Sequence, residues 1–493
     1  MLNDIGFTGQ KDEALPPIAF SYTEPPPEKD LLPDDEFSSA MGEERFTEER
    51  FLNEHEYDVA VIGSGPAGNA AAIRAAKLGA KVIMFEKESL GGMWLSSGCI
   101  PANVYLRSES GAASLQSALM QKNNLVSQLT SDSARQLRSQ RVRLEAGEAL
   151  MRSAHEIICR GRVYNASKVI ICTGSKTDFP HVRGLSHPSV LTVEGLFKVS
   201  QAPPRLMVLG SGSDACELAS VFAAFGSNVM LVDGHSRLLA DWDSEIGETL
   251  GSALEKAGVK VHTGVSVNEV LDKDGSPYVV TERGGVLCDK VLVATDRKPD
   301  ISILGPLVGD MQINDGVIAV NEYMETSVPG IYAAGSVTGA VYQTHTAIRM
   351  AEVAATNAMG GKKELGLWAV PKIAATKPEA ASVGLTEGEA REKYGQDLVV
   401  GRCPFSANTR AMLSNDTDGF VKVLVGRQHG ELYGVHIVGA NAAELICGPA
   451  ALMRMEVTAH EIAEDIIYAH PTFFEAFAEA CAVALGQNTY ELK

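Results

Sequence analysis

The chain has 493 residues, 45% of them apolar, and a mean hydropathy of zero, which suits a chain of about three or four domains and excludes one small core. Its formal net charge of −19 excludes the basic surface on which non-specific nucleic-acid binding rests. No run of about 18 apolar residues suggests a membrane span. No basic stretch leads into an apolar one near the start, so no secretory signal is expected. The eight cysteines are scattered with no C-x-x-C pair, which favours a reducing cytoplasm over a disulfide framework or a metal site.

Residues 1–56 hold fifteen Asp/Glu against four Lys/Arg, with six prolines including Pro25, Pro26 and Pro27. Such a segment buries too little apolar surface to offset its ordering entropy. A largely disordered tail is expected, either solvated or serving as an arm that docks a partner protein.

At residue 57 the character changes. YDVAVIGSGPAGNAAAIRAAKLGAKVIMFEK reads as strand, glycine turn, helix and second strand closing on an acid. Gly63 permits the tight turn, Gly65 lets the backbone approach a pyrophosphate, and Gly68 lets the helix pack close. The helix N-terminus faces the phosphates, and Glu86 is placed for a ribose hydroxyl. Next comes GGMWLSSGCIPAN (91–103), in which Cys99 follows Gly98 at the opening of a helix. Cys99 reads either as a small buried hydrophobe or, as the position favours, as a thiolate steadied by that helix end.

KVIICTGS (168–175), with Gly174 near its end, reads as a buried strand running into a nucleotide-facing turn. The dinucleotide pattern then returns in RLMVLGSGSDACELASVFAAFGSNVMLVD, with Gly210, Gly212 and Ala215 at the turn positions and Asp233 closing the second strand. An acid there accepts from a free 2′-hydroxyl and repels a 2′-phosphate, so NAD(H) is expected over NADP(H). Arg237 is the feature that would soften that preference. Two such units suit a flavoprotein that passes hydride from a nicotinamide to a flavin. DKVLVATDRKPD (289–300) and VPGIYAAGSVTGA (328–340) repeat the strand-and-turn design. The remaining stretch changes style. Strand-like VGRCPFSANTR, GFVKVLVG and LYGVHIVG alternate with helical AAELICGPAALMRM, AHEIAEDII and TFFEAFAEACAVAL, an α+β pattern.

From about residue 57 onward the chain resembles the pyridine-nucleotide disulfide oxidoreductases, and among them dihydrolipoamide dehydrogenase, with mercuric and glutathione reductases as cousins. Both glycine turns, VPGIYAAGSV, PEAASVGLTE, DTDGFVKV, GVHIVGANAAELI and AHPTFFEAF carry the resemblance. It implies an α/β fold with two Rossmann-like dinucleotide-binding domains. The FAD domain is discontinuous (57–185 and 301–367), the NAD domain inserted (186–300), and an α+β dimerisation domain closes the chain (368–493). It also implies FAD and NADH as cofactors, and a homodimer whose active sites combine both subunits.

The family's loop reads G-G-T-C-L-N-x-G-C-I-P-S-K. Cys99 matches its flavin-facing cysteine, but Trp94 stands where the exchanging cysteine belongs, so no intramolecular disulfide can store electrons. Asn103 replaces the lysine that contacts the flavin, which leaves its glutamate partner, Glu217, without that charge. Asn103 is still expected to donate a hydrogen bond toward the flavin. Ser336, after Gly335, replaces the acid that binds the ribityl chain, and Asp296–Arg297 replaces Gly-Arg near the dinucleotide crevice. The 104–142 region is shorter than the family's helical excursion. His470 and Glu475 match the family's base and its orienting carboxylate, a pair that reaches across the dimer.

Three readings follow. One is an NADH-linked FAD oxidoreductase in which Cys99 acts alone on a small disulfide, persulfide or other thiol-type substrate. Another is diaphorase-type electron transfer to a quinone, metal or protein. The third, from a different class, is a catalytically impaired FAD-bound subunit of a larger complex.

Overall fold

The computed structural model describes residues 56–108, 110–111, 114–339 and 343–487. The acidic tail expected at 1–56, and any docking role for it, lie outside the described residues apart from Glu56 itself.

The first glycine motif folds as the strand Tyr57–Ile62, the helix Pro66–Lys77 and the strand Val82–Glu86. Val59, Val61, Ile83 and Phe85 are almost fully enclosed, each contributing about 1.5–3 kcal/mol of burial. Both strands run parallel and are flanked by the parallel strands Arg143–Ala146 and Arg162–Ile171, with Ile331–Ala333 beyond the latter. The helix sits on the sheet through a small-residue face, Ala67, Gly68, Ala71, Ala72 and Ala75. That face lets it approach the Thr344–Ala358 helix, whose buried side is equally small at Ala351, Ala354, Ala355 and Ala358. Most of the 104–142 excursion is one 26-residue helix, Ser114–Ser139.

The second motif builds its own parallel sheet, in the order Lys260–Thr263, Asn228–Asp233, Arg205–Leu209, Lys290–Val293 and Val190–Thr192. A short ribbon, Ser175–Thr177 against Arg297–Pro299, links it to the first unit.

The last unit is an antiparallel sheet ordered Lys372–Ala374, Glu379–Gly384, Leu432–Gly439, Phe420–Gly426 and Leu398–Pro404, with the helix Glu475–Ala484 across it. Gly401 is required there, since a Cβ would lie 1.9 Å from the Ala480 carbonyl oxygen. Three sequence expectations shift. The strand expected through VGRCPFSANTR stops at Pro404, and Asn408 caps a separate helix, Thr409–Ser414, by accepting from the Ala411 N–H. AAELICGPAALMRM divides into Ala442–Leu445 and Cys447–Arg454. AHEIAEDII supplies only one wide turn, Glu461–Asp465.

Strand Phe420–Gly426 is buried on both faces. Val421, Val423 and Val425 enter the core of the last unit, while Lys422 points the other way, toward the second dinucleotide unit. Its ammonium, fully enclosed, lies 2.9 Å from Asp243, 2.7 Å from Glu245 and 2.6 Å from Glu387. Asp243 also caps the Ser244–Lys256 helix. Beside it the buried His436 is 2.7 Å from the Ser382 hydroxyl through Nδ1 and 3.0 Å from the Leu385 carbonyl through Nε2.

Burial drives His436 down to about 4, so the folded chain keeps it neutral while an unfolded one takes up a proton near about pH 6.5. More protons bound on unfolding means that stability falls as pH drops from about 6.5 toward about 4. His436→Gln should flatten that limb of a Tm-against-pH profile. An unchanged slope would refute a buried neutral imidazole.

Candidate active site

One continuous cavity of about 1810 Å³ runs between the two glycine turns. A single small-ligand pocket occupies about 300–1,000 Å³, so this one has room for two extended dinucleotides. The first turn is built by exclusion. Gly63 has φ +98° and a Cβ there would strike the Cys172 carbonyl oxygen at 2.3 Å; one on Gly68 would strike the Gly63 carbonyl oxygen at 1.8 Å. At Gly65 a Cβ would meet nothing within 4 Å, because the position opens on the cavity. The second turn repeats this: Gly210 (φ +128°) abuts the Ala294 carbonyl, Gly212 is open, and Ala215 is buried in the helix behind. The residues present therefore fit a pyrophosphate at each turn.

Glu86 lines the cavity, but its carboxylate already holds the first turn. Oε2 accepts from the Ser64 backbone (2.9 Å) and hydroxyl (2.6 Å), and Oε1 from the Glu88 N–H. Gly174 (φ +71°) and Gly335 (φ +82°) turn strand ends toward the cavity, and Ser336 follows at its wall. A Cβ on Gly335 would crowd Ala67 at 3.2 Å and Ala347 at 3.4 Å. Arg297 donates to the Ser175 hydroxyl (3.1 Å) and carbonyl (2.9 Å) and lies 3.6 Å from Glu194, which fixes it across the ribbon.

Cys99 opens the helix Cys99–Leu106 and is exposed to the cavity. Its Sγ lies 3.6 Å from the Thr344 hydroxyl, at the start of the helix facing it. The thiolate expectation is not supported by the chain's own groups. Burial pushes the thiol up, and Glu217 and Asp214 add to the push, against help from Thr344 and a backbone N–H. Cys172 also lines the cavity, but it is enclosed and pushed up far more strongly. Trp94 stands in the wall on the short helix Gly92–Ser96, its indole N–H buried with no hydrogen-bond partner among the described residues.

Asn103 lines the cavity, and its amide donates 2.9 Å to the Cys99 carbonyl, back along its own helix, which uses one of its two N–H groups. Glu217, without a lysine, receives the Ala375 N–H at 2.8 Å. Burial and the neighbouring Asp214 push its carboxyl up to about 8, so near neutral pH it keeps its proton. The loss of the lysine therefore leaves a neutral acid and no stranded charge.

Arg237 turns from the crevice to the carbonyls of Ala240 (2.7 Å) and Trp242 (3.1 Å). Asp233 remains on the cavity wall. His470 and Glu475 lie outside this cavity, on the last unit. Nδ1 and Oε1 are 2.8 Å apart, Glu475 Oε2 accepts from the Thr472 N–H, and the His470 side chain is 67% exposed. Within one chain the dyad and Cys99 are therefore presented separately.

Sequence reasoning missed Asp300. Burial would raise its carboxyl, but the Ser302 hydroxyl, Lys87 (3.0 Å) and Lys176 (3.3 Å) hold it down to about 2 at the cavity wall. The acid closing DKVLVATDRKPD was the available signal. Thr344 gave none, since nothing local marks a residue 245 positions from the cysteine it meets.

Comparison with known proteins agrees with this geometry. Residues 57–351 match the pyridine nucleotide-disulphide oxidoreductase family, and 370–481 match the dimerisation domain of the same proteins. A dihydrolipoyl dehydrogenase of Thermus scotoductus is 36% identical over 86% of this chain and 96% of its own. One from Bacillus subtilis is 32% identical over 87% and 98%. A mercuric reductase of Staphylococcus aureus is 32% identical over 84% and 80%. Among solved structures, the Cu(II) complex of the HOCl-induced flavoprotein disulfide reductase RclA from Escherichia coli superposes with a TM-score of 0.81 at 25% identity, covering 87% of this chain and 99% of that one. Among the described residues no helix is long and apolar enough to cross a membrane. The chain belongs to the pyridine nucleotide-disulphide oxidoreductases, flavin-dependent enzymes that use FAD and NAD(P)H and carry a C-terminal dimerisation domain.

Proposed function

We propose that the protein is an NADH-linked FAD oxidoreductase that reduces a small disulfide or persulfide through Cys99 alone, working as a homodimer with active sites shared between subunits. The observation that carries this reading is the exposed Cys99 thiol in the wall between the two glycine turns, with Trp94 in place of an exchange partner. FAD, when bound, supplies the relay that takes a hydride from the nicotinamide and passes its electron pair to sulfur.

The chain's own residues do the rest. The Cys99 thiolate attacks an external disulfide RSSR, forming Cys99–S–S–R and releasing RS⁻. A thiol pushed up by burial needs a base, and His470 of the partner subunit takes its proton. Glu475 holds Nδ1 and leaves Nε2 for that transfer. The same imidazolium then protonates RS⁻. The electron pair cleaves the mixed disulfide into the Cys99 thiolate and a second RS⁻, and each takes a proton, one from solvent and one that entered with the hydride, which restores the Cys99 thiol. The sum is RSSR + NADH + H⁺ → 2 RSH + NAD⁺.

The raised thiol favours one competing reading, in which electrons pass to a quinone, metal or protein and Cys99 is a bystander. A variant separates them. In Cys99→Ser, anaerobic NADH should still bleach the flavin, while disulfide or persulfide turnover should fall at least about 100-fold. Turnover equal to wild type would overturn the sulfur mechanism. Failure of NADH to bleach either protein would instead point to a catalytically impaired subunit.

A further inference from the structure

Asp233 closes its strand at the rim of the second glycine turn, and His235 folds back onto it. The His235 backbone N–H donates to Asp233 Oδ1 at 2.6 Å, and its Nδ1 lies 2.6 Å from the same oxygen. Its carbonyl accepts from the Gly264 N–H at 2.6 Å, so its backbone is fixed from both sides. The ring itself is 62% exposed and lines the cavity beside Asp233 and Gly234. The cavity wall at this end, 232–235 and 265–267, holds no Lys or Arg, and Arg237 has turned away.

We propose that His235 sets the coenzyme preference: as a neutral ring it positions Asp233 for the ribose diol of NAD(H), and as a cation it makes the same rim tolerant of a 2′-phosphate. The proposal rests on the reading that this turn holds the nicotinamide coenzyme. With both His235 donors on Oδ1, Oδ2 is left to accept from the diol, which a 2′-phosphate cannot satisfy. The lone carboxylate then repels the phosphate. A proton on the imidazole places a positive charge 2.6 Å from that carboxylate and cancels most of its field at the rim. The other charged or titratable groups on the surrounding elements include Lys260 and His262 on the neighbouring strand, Asp214 at the glycine turn, Asp241 on the cavity wall, Glu282, which accepts from the Ser266 N–H, and Arg237, committed to carbonyls.

Equilibrium binding of NAD⁺ and NADP⁺ to the oxidised holoenzyme tests this without turnover. The ratio of the two dissociation constants is measured near about pH 8.5 and about pH 6 for wild type, His235→Gln and His235→Lys. A 2′-phosphate takes up its own proton near about pH 6, an effect the Gln variant shares, so the readout is the difference between wild type and Gln. Discrimination against NADP⁺ should narrow on acidification at least about fivefold more in wild type than in the Gln variant. The Lys variant should be narrow at both pH values. Equal pH responses in wild type and Gln, or a Lys variant that discriminates like wild type, would overturn the role of His235. If Asp233→Ala leaves NAD⁺ affinity unchanged, it is the placement of the coenzyme that fails.

Discussion

Trp94→Cys combined with Asn103→Lys is expected to convert a protein without useful dihydrolipoamide oxidation into one with measurable activity. Trp94 ends no strand and caps no helix; it fills the wall just ahead of Cys99, where Gly98 is so tight that a Cβ would lie 3.2 Å from Trp94 Cα. A cysteine there can form the missing disulfide with Cys99. The lysine would meet Glu217, now a neutral acid at about 8, and draw it toward its ionised form. Both residues serve one cycle, so the single changes should each give little and the pair should exceed their combined effect. A thiol count and a dihydrolipoamide–NAD⁺ assay on the four proteins decide it. Robust turnover by the unmodified protein would overturn the single-cysteine mechanism. A disulfide without turnover would place the change of function in the channel that Trp94 narrows.

Lys422→Ala should cost about 3–5 kcal/mol, the largest stability loss expected from one substitution here. The change leaves Asp243 and Glu387 facing each other in an enclosed site with one cation fewer. Burial alone would raise both carboxyls, and Lys422 is among the groups that hold them low. Without it they should take up protons on folding, so the deficit should shrink as pH falls toward their depressed native range and level off below it. Lys422→Met should lose less than Lys422→Ala, because the methylene stem still fills the gap between the units. Denaturant unfolding at two pH values measures this. A loss under about 1 kcal/mol would mean that water reaches the cluster.

Much of the architecture was legible because its signals are local. A strand, a turn that admits only glycine at Gly63 or Gly210, and an acid about twenty residues on are all contained in one short stretch, and the structure assembles both stretches as read. What escaped was whatever depends on a distant segment or on competition among neighbours. Period-two alternation in GFVKVLVG shows that Lys422 and Val423 face opposite ways, yet nothing in the segment says that the lysine's face is roofed by another unit. Thr344 beside Cys99 and the Ala375 N–H on Glu217 are contacts across the fold. Asn103 and Arg237 share a feature that residue type alone does not show: each gives N–H groups to backbone carbonyls within a few residues. In the last unit, Asn408 was a readable cap signal inside a run that looked wholly strand-like.

The enclosed lysine has a mechanical meaning. Asp243 and Glu245 begin the Ser244–Lys256 helix of the second dinucleotide unit, so the cluster fastens that unit to the dimerisation domain through an ionic bolt that solvent salt cannot easily screen. Such a bolt favours a fixed jaw over a hinged lid. Coenzyme is then expected to come and go through the standing mouth of the cavity, without a rocking of domains. The pace of coenzyme departure is then expected to follow the grip of the second glycine turn, and not an opening motion.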